Sequence, residues 1–363
     1  MNFKEKFFKF YEENETRVDI AFFLGGFIFD VFTLSDIDDP VALAQQVLYF
    51  LIIGSIVFYE FLFQHGKFIP TGRVEKLWPY RQIAVHFLLG SLLSVYSLFF
   101  LKSSSIFSSI VFVIFLAGLM IANEMKSVQK SKVDLKIGLL VICLFSFFSM
   151  IIPVLLGFVG WIPFLLSLFA TMGFLFGARS VLLKRTGDSQ GVFRFLIAPG
   201  GTVCAVLLIF YIIGWIPPVP LSVKKMGIYH NIEKADGKYL LSHEKPWWKF
   251  WHEGDQDFNA VPGDRIYFFA SIFSPARFSD SVILNWNFYD PTQGWSATDR
   301  VPMRISGGRE EGFRGFSNKQ NYAPGKWRVS VETTDGREIG RIYFTVTEVA
   351  PDSGPRQFEV EWY

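Results

Sequence analysis

Cysteine is nearly absent from this 363-residue chain: Cys143 and Cys204 are the only two, and both sit inside long apolar runs. No cysteine follows Cys204, so whatever folds beyond it does so without a disulfide. Charge imbalance is missing too. A formal net charge of +2 gives no basic surplus for a phosphate backbone, and nucleic acid is not an expected partner. Ionisable residues are missing from the middle of the apolar runs, where an ion-driven transporter or a Schiff-base chromophore needs them. Compact metal-ligand spacings are missing as well. His243, His252, Asp255 and Asp257 lie close in sequence without an H-x-x-x-H pair and read as solvated loop residues, so neither metal nor cofactor is expected.

What is abundant is apolar and aromatic. Hydrophobic residues make up 51% of the chain and phenylalanine alone contributes 42, a composition suited to lipid rather than to a soluble surface. Seven apolar runs, 18–34, 41–63, 82–101, 106–123, 136–152, 160–180 and 194–214, approach the length of about 20 residues that crosses a hydrocarbon core. Residues 135–183 are too long for one span, and Pro153, Gly157, Gly160 and Pro163 predict a break into two helices. Asp39 before Pro40 reads as an N-cap and first-turn pair. Ahead of the first run, Phe3, Phe7 and Phe10 share one helical face, which suits either an interfacial helix or an exposed tail. No small-residue cleavage site follows the first run, so no removable signal is expected.

Loop charges set the orientation. Segment 1–17 and loops 64–81, 124–136 and 181–194 carry three or four Lys or Arg each, whereas the alternate loops carry Asp36, Asp38 and Asp39, then Lys102 alone, then nothing. This alternation predicts a seven-span domain with a cytoplasmic N-terminus and places the C-terminal part outside. The ionisable residues within the runs, among them Asp30, Glu60 and His86, fall near helix ends and are the intramembrane candidates. The tetrapeptide Gly-Trp-Ile-Pro occurs at 160–163 and 214–217, where Trp suits the interfacial belt and Pro a helix boundary; a docking rim for the C-terminal domain is the other reading. Gly173 and Gly177 form a GxxxG pair. Gly187-Asp188-Ser189-Gln190-Gly191 matches G-x-S-x-G but lies in a short loop between helices, with only His65 or His86 as a base, and reads as a turn.

After Pro217, Pro218 and Pro220 the period changes from helical to two. Val282, Leu284, Trp286 and Phe288 share one face, as do Trp327, Val329 and Val331, and Ile342, Phe344 and Val346. Further strands are expected at 226–232, 238–242, 265–273, 301–306 and 312–318, with a hairpin at Asp335-Gly336. Seven or eight short strands without helical period predict an all-β, Ig-like sandwich. The expected organisation is therefore multi-domain: an all-α membrane domain of seven transmembrane helices over 1–222, a β-sandwich over 223–349 and a tail over 350–363 that is disordered or adds a strand.

The run Gly312-Phe313-Arg314, Pro324-Gly325-Lys326-Trp327-Arg328-Val329, Asp335-Gly336, Ile339-Gly340 and Phe344-Thr345-Val346 resembles a catalogued bacterial domain of unknown function. That domain occurs at the C-terminus of envelope proteins, some with a multi-span membrane domain in front. The resemblance covers about the last third of the chain. It implies a bacterial inner-membrane protein with a periplasmic domain, assigns no activity, and makes Gly325 and Trp327 architectural.

Pro246-Trp247-Trp248-Lys249-Phe250-Trp251 is the most suggestive local feature. Its aromatics are divided between the core and a covering loop, or they enter the membrane interface, or they form a ligand platform in which indoles stack on sugar rings. Trp295, in a Gly-rich turn, is placed to join such a platform. The expected function is non-enzymatic: a lipid-embedded anchor presenting a β domain that binds an envelope protein or glycan through Trp247, Trp248, Trp251 and Trp295. The alternative is a transporter or membrane-enzyme subunit with its site between the helices near Asp30, Glu60 and His86, capped by the β domain.

Overall fold

The computed structural model describes residues 37, 39–103, 105–124, 133–276, 278–307, 312–350 and 356–363. A helical region precedes a β region. The chain divides into one unit of residues 1–101, 109–152 and 162–216, and a second of 102–108, 153–161 and 217–363. The second unit thus includes three short segments, 102–108, 153–161 and 217–222, that a cut at residue 222 assigns to the helices. The expected first span and the N-terminal Phe face, with Asp19 and Asp30, lie outside the described residues.

The described helices are α1 (Pro40–Gln64), α2 (Arg73–Leu77), α3 (Arg81–Lys102), α4 (Ile106–Glu124), α5 (Val133–Leu156), α6 (Trp161–Thr186), α7 (Ser189–Val192) and α8 (Ala198–Ile213). Among the described residues, five helical stretches are long and apolar enough to cross a membrane: Pro40–Gln64, Ala84–Lys102, Lys136–Leu156, Trp161–Thr186 and Ser189–Ile213. Asp39 caps α1 by accepting a hydrogen bond from Val41 N at 3.0 Å, with Pro40 at the first helical position. The 135–183 run breaks between Leu156 and Trp161, where Gly157 and Gly160 adopt φ of 81° and 127°. Pro153 stays inside α5. A π-helical turn at Phe193–Ile197 joins α7 to α8 ahead of Pro199. Gly200 lies close to α6, where a Cβ on it would stand 2.6 Å from Leu175 Cδ1 and push that side chain aside. Leu175 and Cys204 belong to the core of this unit with Phe61, Ile137 and Phe195. A Cβ at Gly173 or Gly177 would meet nothing within 4 Å among the described residues, so this GxxxG pair mediates no close approach there.

In the second unit, β1 (Ser222–Tyr229), β5 (Ile266–Phe273) and β8 (Phe313–Lys319) form one sheet in the order β1-β5-β8. A second sheet runs β4-β10-β9-β6-β7 from β4 (Asp257–Ala260), β6 (Ser279–Asp290), β7 (Gly294–Ser306), β9 (Gly325–Thr333) and β10 (Glu338–Glu348). β4 is parallel to β10, and the other neighbours in both sheets are antiparallel. The faces read from period two are buried: Val282, Leu284, Trp286, Val329, Val331, Ile342, Phe344 and Val346 share one core with Phe258, Phe268 and Ile272 from the other strands. Two sheets therefore close over a single core.

The expected strand 226–232 is two strands, because the chain bends at His230 and continues as β2 (Asn231–Ala235). β2 pairs with β3 (Lys238–His243), and β11 (Glu359–Trp362) from the tail adds to β3, giving a small sheet β11-β3-β2. The tail takes the strand-adding course of its two expected ones.

Trp286 is the largest fully buried side chain, and its Nε1 donates to Ser317 Oγ at 3.2 Å across the two sheets. Trp286→Ala is expected to cost about 3–5 kcal/mol. The check is thermal unfolding of the intact chain followed by protease accessibility of residues beyond 222, with the cleavage midpoint falling in the variant.

Candidate functional site

Loop 244–256 joins β3 to β4 and carries the aromatic run. Two turns shape its tip, with Lys249 N bonded to Pro246 O and His252 N to Lys249 O, each at 3.0 Å. The tip leaves its rings in the open: Trp247 is 84% exposed, Trp248 50%, Phe250 80% and Trp251 58%. A division of these side chains between core and covering loop is thereby overturned. Alternation cannot bury them, because the segment is a turn and, among the described residues, no second layer lies over it. The rings meet edge to face, Trp248–Trp251 at 63° and Phe250–Trp251 at 84°. Lys249 pairs with Asp257 at 2.5 Å, and Lys245 Nζ donates to His252 O at 2.8 Å.

The neck of this loop is closed by buried polar groups. Asp255 accepts from Glu244 N at 2.9 and 3.1 Å, and its own N–H donates to Ile228 O at 2.7 Å. Ile228 N in turn donates to Glu253 O at 3.2 Å. Gly254, at φ +69°, passes so close to β1 that a Cβ would stand 2.0 Å from Ile228 O. Arg356, beyond the expected sandwich boundary, completes the closure. Its Nε donates to Glu244 Oε1 and its Nη1 to Asp264 Oδ2, both at 2.6 Å, while Nη2 reaches Asn259 O at 2.8 Å. The same Nη2 lies 3.1 and 3.2 Å from the ring nitrogens of His230, one of which accepts. His230 stacks on Phe258 at 4.0 Å and stands 3.6 Å from Asp255 Oδ2.

Burial and then the Arg356 guanidinium lower the His230 pKa to about 4, so the imidazole is neutral. Burial raises the Asp255 pKa to about 7, and the neighbouring Glu244 carboxylate adds to the rise. Asp255 and His243 are thus buried rather than solvated loop residues. Among the described residues no group of three or more His, Cys, Asp or Glu could hold a metal ion.

Trp295 does not join the loop tip. It sits at the start of β7, half-buried, between Tyr289 at 5.2 Å and Tyr343 at 5.6 Å, with the Arg328 guanidinium 4.7 Å from its ring centroid. Beside it lies a groove of about 230 Å³, walled by His252, Gln256, Asp257, Trp295, Lys326 and Tyr343 among others. Gln256 fixes one wall by donating to Tyr343 O at 2.8 Å. His252 and Asp257 come from the aromatic loop and the first residue of β4, so groove and loop share one edge without forming one platform. Sequence reasoning missed Arg356, His230, Glu244 and Asp264, whose separation in sequence leaves no local signal.

In the helical unit, Glu60 is buried and accepts from Gln82 Nε2, with Arg81 Nη2 at 3.7 Å. Lys136 donates to the Oε1 of the same Gln82. His86 is buried on α3. Asp188 caps α7 through Gly191 N at 2.8 Å and lies 3.2 Å from His65 Nε2, so the G-x-S-x-G segment is a capped helix start.

A family model described as a protein of unknown function (DUF2914) matches residues 279–346. That span runs from the first residue of β6 into β10 and supplies Trp295, Lys326, Trp327 and Tyr343; the aromatic loop and Arg356 lie outside it. No curated protein matches. The chain is similar to a β-glucosidase involved in saponin metabolism from intestinal bacteria, at 11% identity and a TM-score of 0.23 over 37% of this chain and 17% of that one. It is similar to an immunoglobulin-like protein from Pseudomonas aeruginosa at 10% identity and a TM-score of 0.22, over 36% of this chain and 98% of that one. It is also similar to the Pseudomonas fluorescens alkylpurine DNA glycosylase AlkC bound to DNA containing an abasic site analog, at 9% identity and a TM-score of 0.22, over 85% and 82%. TM-scores of this size fix neither fold nor activity.

The two shifted groups at the neck oppose each other. His230, with its pKa lowered to about 4, contributes stability that is present above its unfolded value near 6.5 and lost as pH falls through about 4. Asp255, raised to about 7, contributes stability that is present below its unfolded value near 4 and lost as pH rises through about 7. Between about pH 4 and 6.5 the two cancel. Relative to the unsubstituted chain, Asp255→Asn is expected to gain stability with rising pH in that window, and His230→Gln to lose it. Each slope is about one proton, on the order of 1.4 kcal/mol per pH unit; unfolding midpoints of the intact chain at several pH values check it.

Proposed function

We propose that this chain is a non-enzymatic protein of the bacterial inner membrane, with seven spans, a cytoplasmic N-terminus and a periplasmic immunoglobulin-like domain that binds an envelope glycan. Five long apolar helices and the alternation of basic loops support the membrane part. The strand orders β1-β5-β8 and β4-β10-β9-β6-β7 agree with an immunoglobulin-type sandwich extended by one strand on the larger sheet. The resemblance of its C-terminal part to a domain of bacterial envelope proteins supports the compartment.

The observation that carries the binding role is the groove beside Trp295. A half-buried indole with one face covered by Arg328 leaves its remaining surface beside Tyr343, while His252, Gln256, Asp257 and Lys326 border the same space. Apolar ring faces with a fringe of donors and acceptors match a pyranose, whose faces are apolar and whose edge carries hydroxyls. The groove is below the range of roughly 300–1,000 Å³ of drug-sized pockets, on the scale of one sugar ring.

A site between the helices is the second reading, favoured by the buried Glu60–Gln82–Lys136 network. These residues lie toward the end of α1 and the starts of α3 and α5, where they tie helix ends together.

One experiment separates the two. The intact chain in nanodiscs is titrated with fragments of the envelope glycan, beside Trp295→Ala and Glu60→Gln. Binding is expected to weaken roughly tenfold in Trp295→Ala and to stay unchanged in Glu60→Gln. Binding unchanged in Trp295→Ala and lost in Glu60→Gln contradicts the groove reading and favours the helices.

A further inference from the structure

The aromatic tip is left unused by the groove, and its geometry suits a different partner. Trp247, Phe250 and Trp251 are exposed at the turn, and the edge-to-face angles of Trp248–Trp251 and Phe250–Trp251 keep these rings from forming one continuous flat platform. Lys249 stands over the Trp248 ring at 5.2 Å, the mixture of indole and amine that settles at the headgroup level of a bilayer. The neck that holds this tip is closed by the Asp255 and Arg356 bonds, so the rings are presented from a fixed base.

A second observation places that base. Glu253, two residues beyond Trp251, lines a cleft of about 300 Å³ together with Lys102, Val223, Lys224, Lys225 and Arg341. Lys102 is the last residue of α3 and of the apolar stretch Ala84–Lys102. The β1 residues of the same cleft follow α8 after only residues 214–221. The root of the aromatic loop therefore shares this cleft with Lys102, the residue that closes an apolar stretch long enough to cross a membrane. The cleft adds cations: Lys102 and Lys224 are exposed, Lys224 standing over the Phe273 ring at 5.2 Å, and Lys225 and Arg341 line it while bonded to Glu361 and Glu338.

We infer that loop 244–256 is a bilayer latch: Trp247, Phe250 and Trp251 enter the interface of the membrane that the helices cross, and Lys102 and Lys224 face its phosphate headgroups. The latch holds the β domain down on the surface and aims the neighbouring groove. It rests on the helices being membrane spans, and the test keeps the two apart.

The probe is an environment-sensitive fluorophore on a single introduced cysteine of the intact chain in nanodiscs containing phosphatidylglycerol; the native Cys143 and Cys204 are buried. Phe250→Cys tests the latch, Ile209→Cys on α8 reports the hydrocarbon region, and Arg300→Cys on β7 reports solvent. The latch predicts blue-shifted emission at 250 with quenching by lipids spin-labelled near the headgroup, while 300 is unaffected. It also predicts that Lys102→Gln with Lys224→Gln weakens quenching at 250 severalfold, and that phosphatidylcholine alone does the same to the unsubstituted pair. Quenching at 209 with water-like emission at 250 overturns the latch while sparing the spans, and leaves the tip as a surface for a protein. Absence of quenching at 209 overturns both.

Discussion

A buried carboxylate closes the loop on which the exposed chemistry of the second unit depends. Asp255 ties the backbone at Glu244 across the neck of the aromatic loop, and its own amide ties the loop to β1 through Ile228. A carboxylate taken out of water is costly unless its environment is arranged for it. Here Asp255 remains protonatable near neutrality because of that burial, while the adjacent imidazole stays neutral. Arg356 brings a permanent positive charge to the cluster, and its donors are divided among Glu244, Asp264, Asn259 and His230. Four separate segments thus meet at one guanidinium, and each loses a partner if it leaves.

This arrangement explains how a short turn keeps four large aromatic side chains exposed. Left to itself such a segment would collapse onto the nearest apolar surface, since burying one of these side chains gains about 1.5–3 kcal/mol. The bonds at its root oppose that collapse. Lys249 and Lys245 pin the turn from within, through Asp257 and the His252 carbonyl. The root also supplies His252 and Asp257 to the groove of Trp295. One polar cluster therefore holds both a convex apolar tip and one wall of a concave recess.

The sequence makes the period-two faces legible because they are local: Val282, Leu284 and Trp286 announce a buried face within five residues, and the core contains them. Asp39-Pro40 and the Gly157/Gly160 break are legible for the same reason, since capping and φ > 0 are properties of single residues. β4 escapes because four residues, DFNA, are too few for a period and are held only by pairing with β10. β11 is legible only as one of two courses of the tail, because Val360 and Trp362 stay exposed and its place beside β3 is set by pairing between segments far apart in sequence. The Arg356 cluster is illegible in principle: its members, His230, Glu244, Asp255, Asp264 and Arg356, are brought together by the fold alone. Trp295 was legible as an aromatic beside a glycine turn, but its separation from the loop tip was not, because that depends on where β7 lies in the sheet.

The most direct measurement is hydrogen exchange of the intact chain, compared with Arg356→Ala. The amides of Ile228, Glu244 and Asp255 are expected to be protected in the unsubstituted chain and to exchange at least tenfold faster in the variant. Those of β6, β9 and β10 should keep their protection. Equal exchange at the three neck amides in both chains would contradict this expectation, because the aromatic loop would then be held without the cluster.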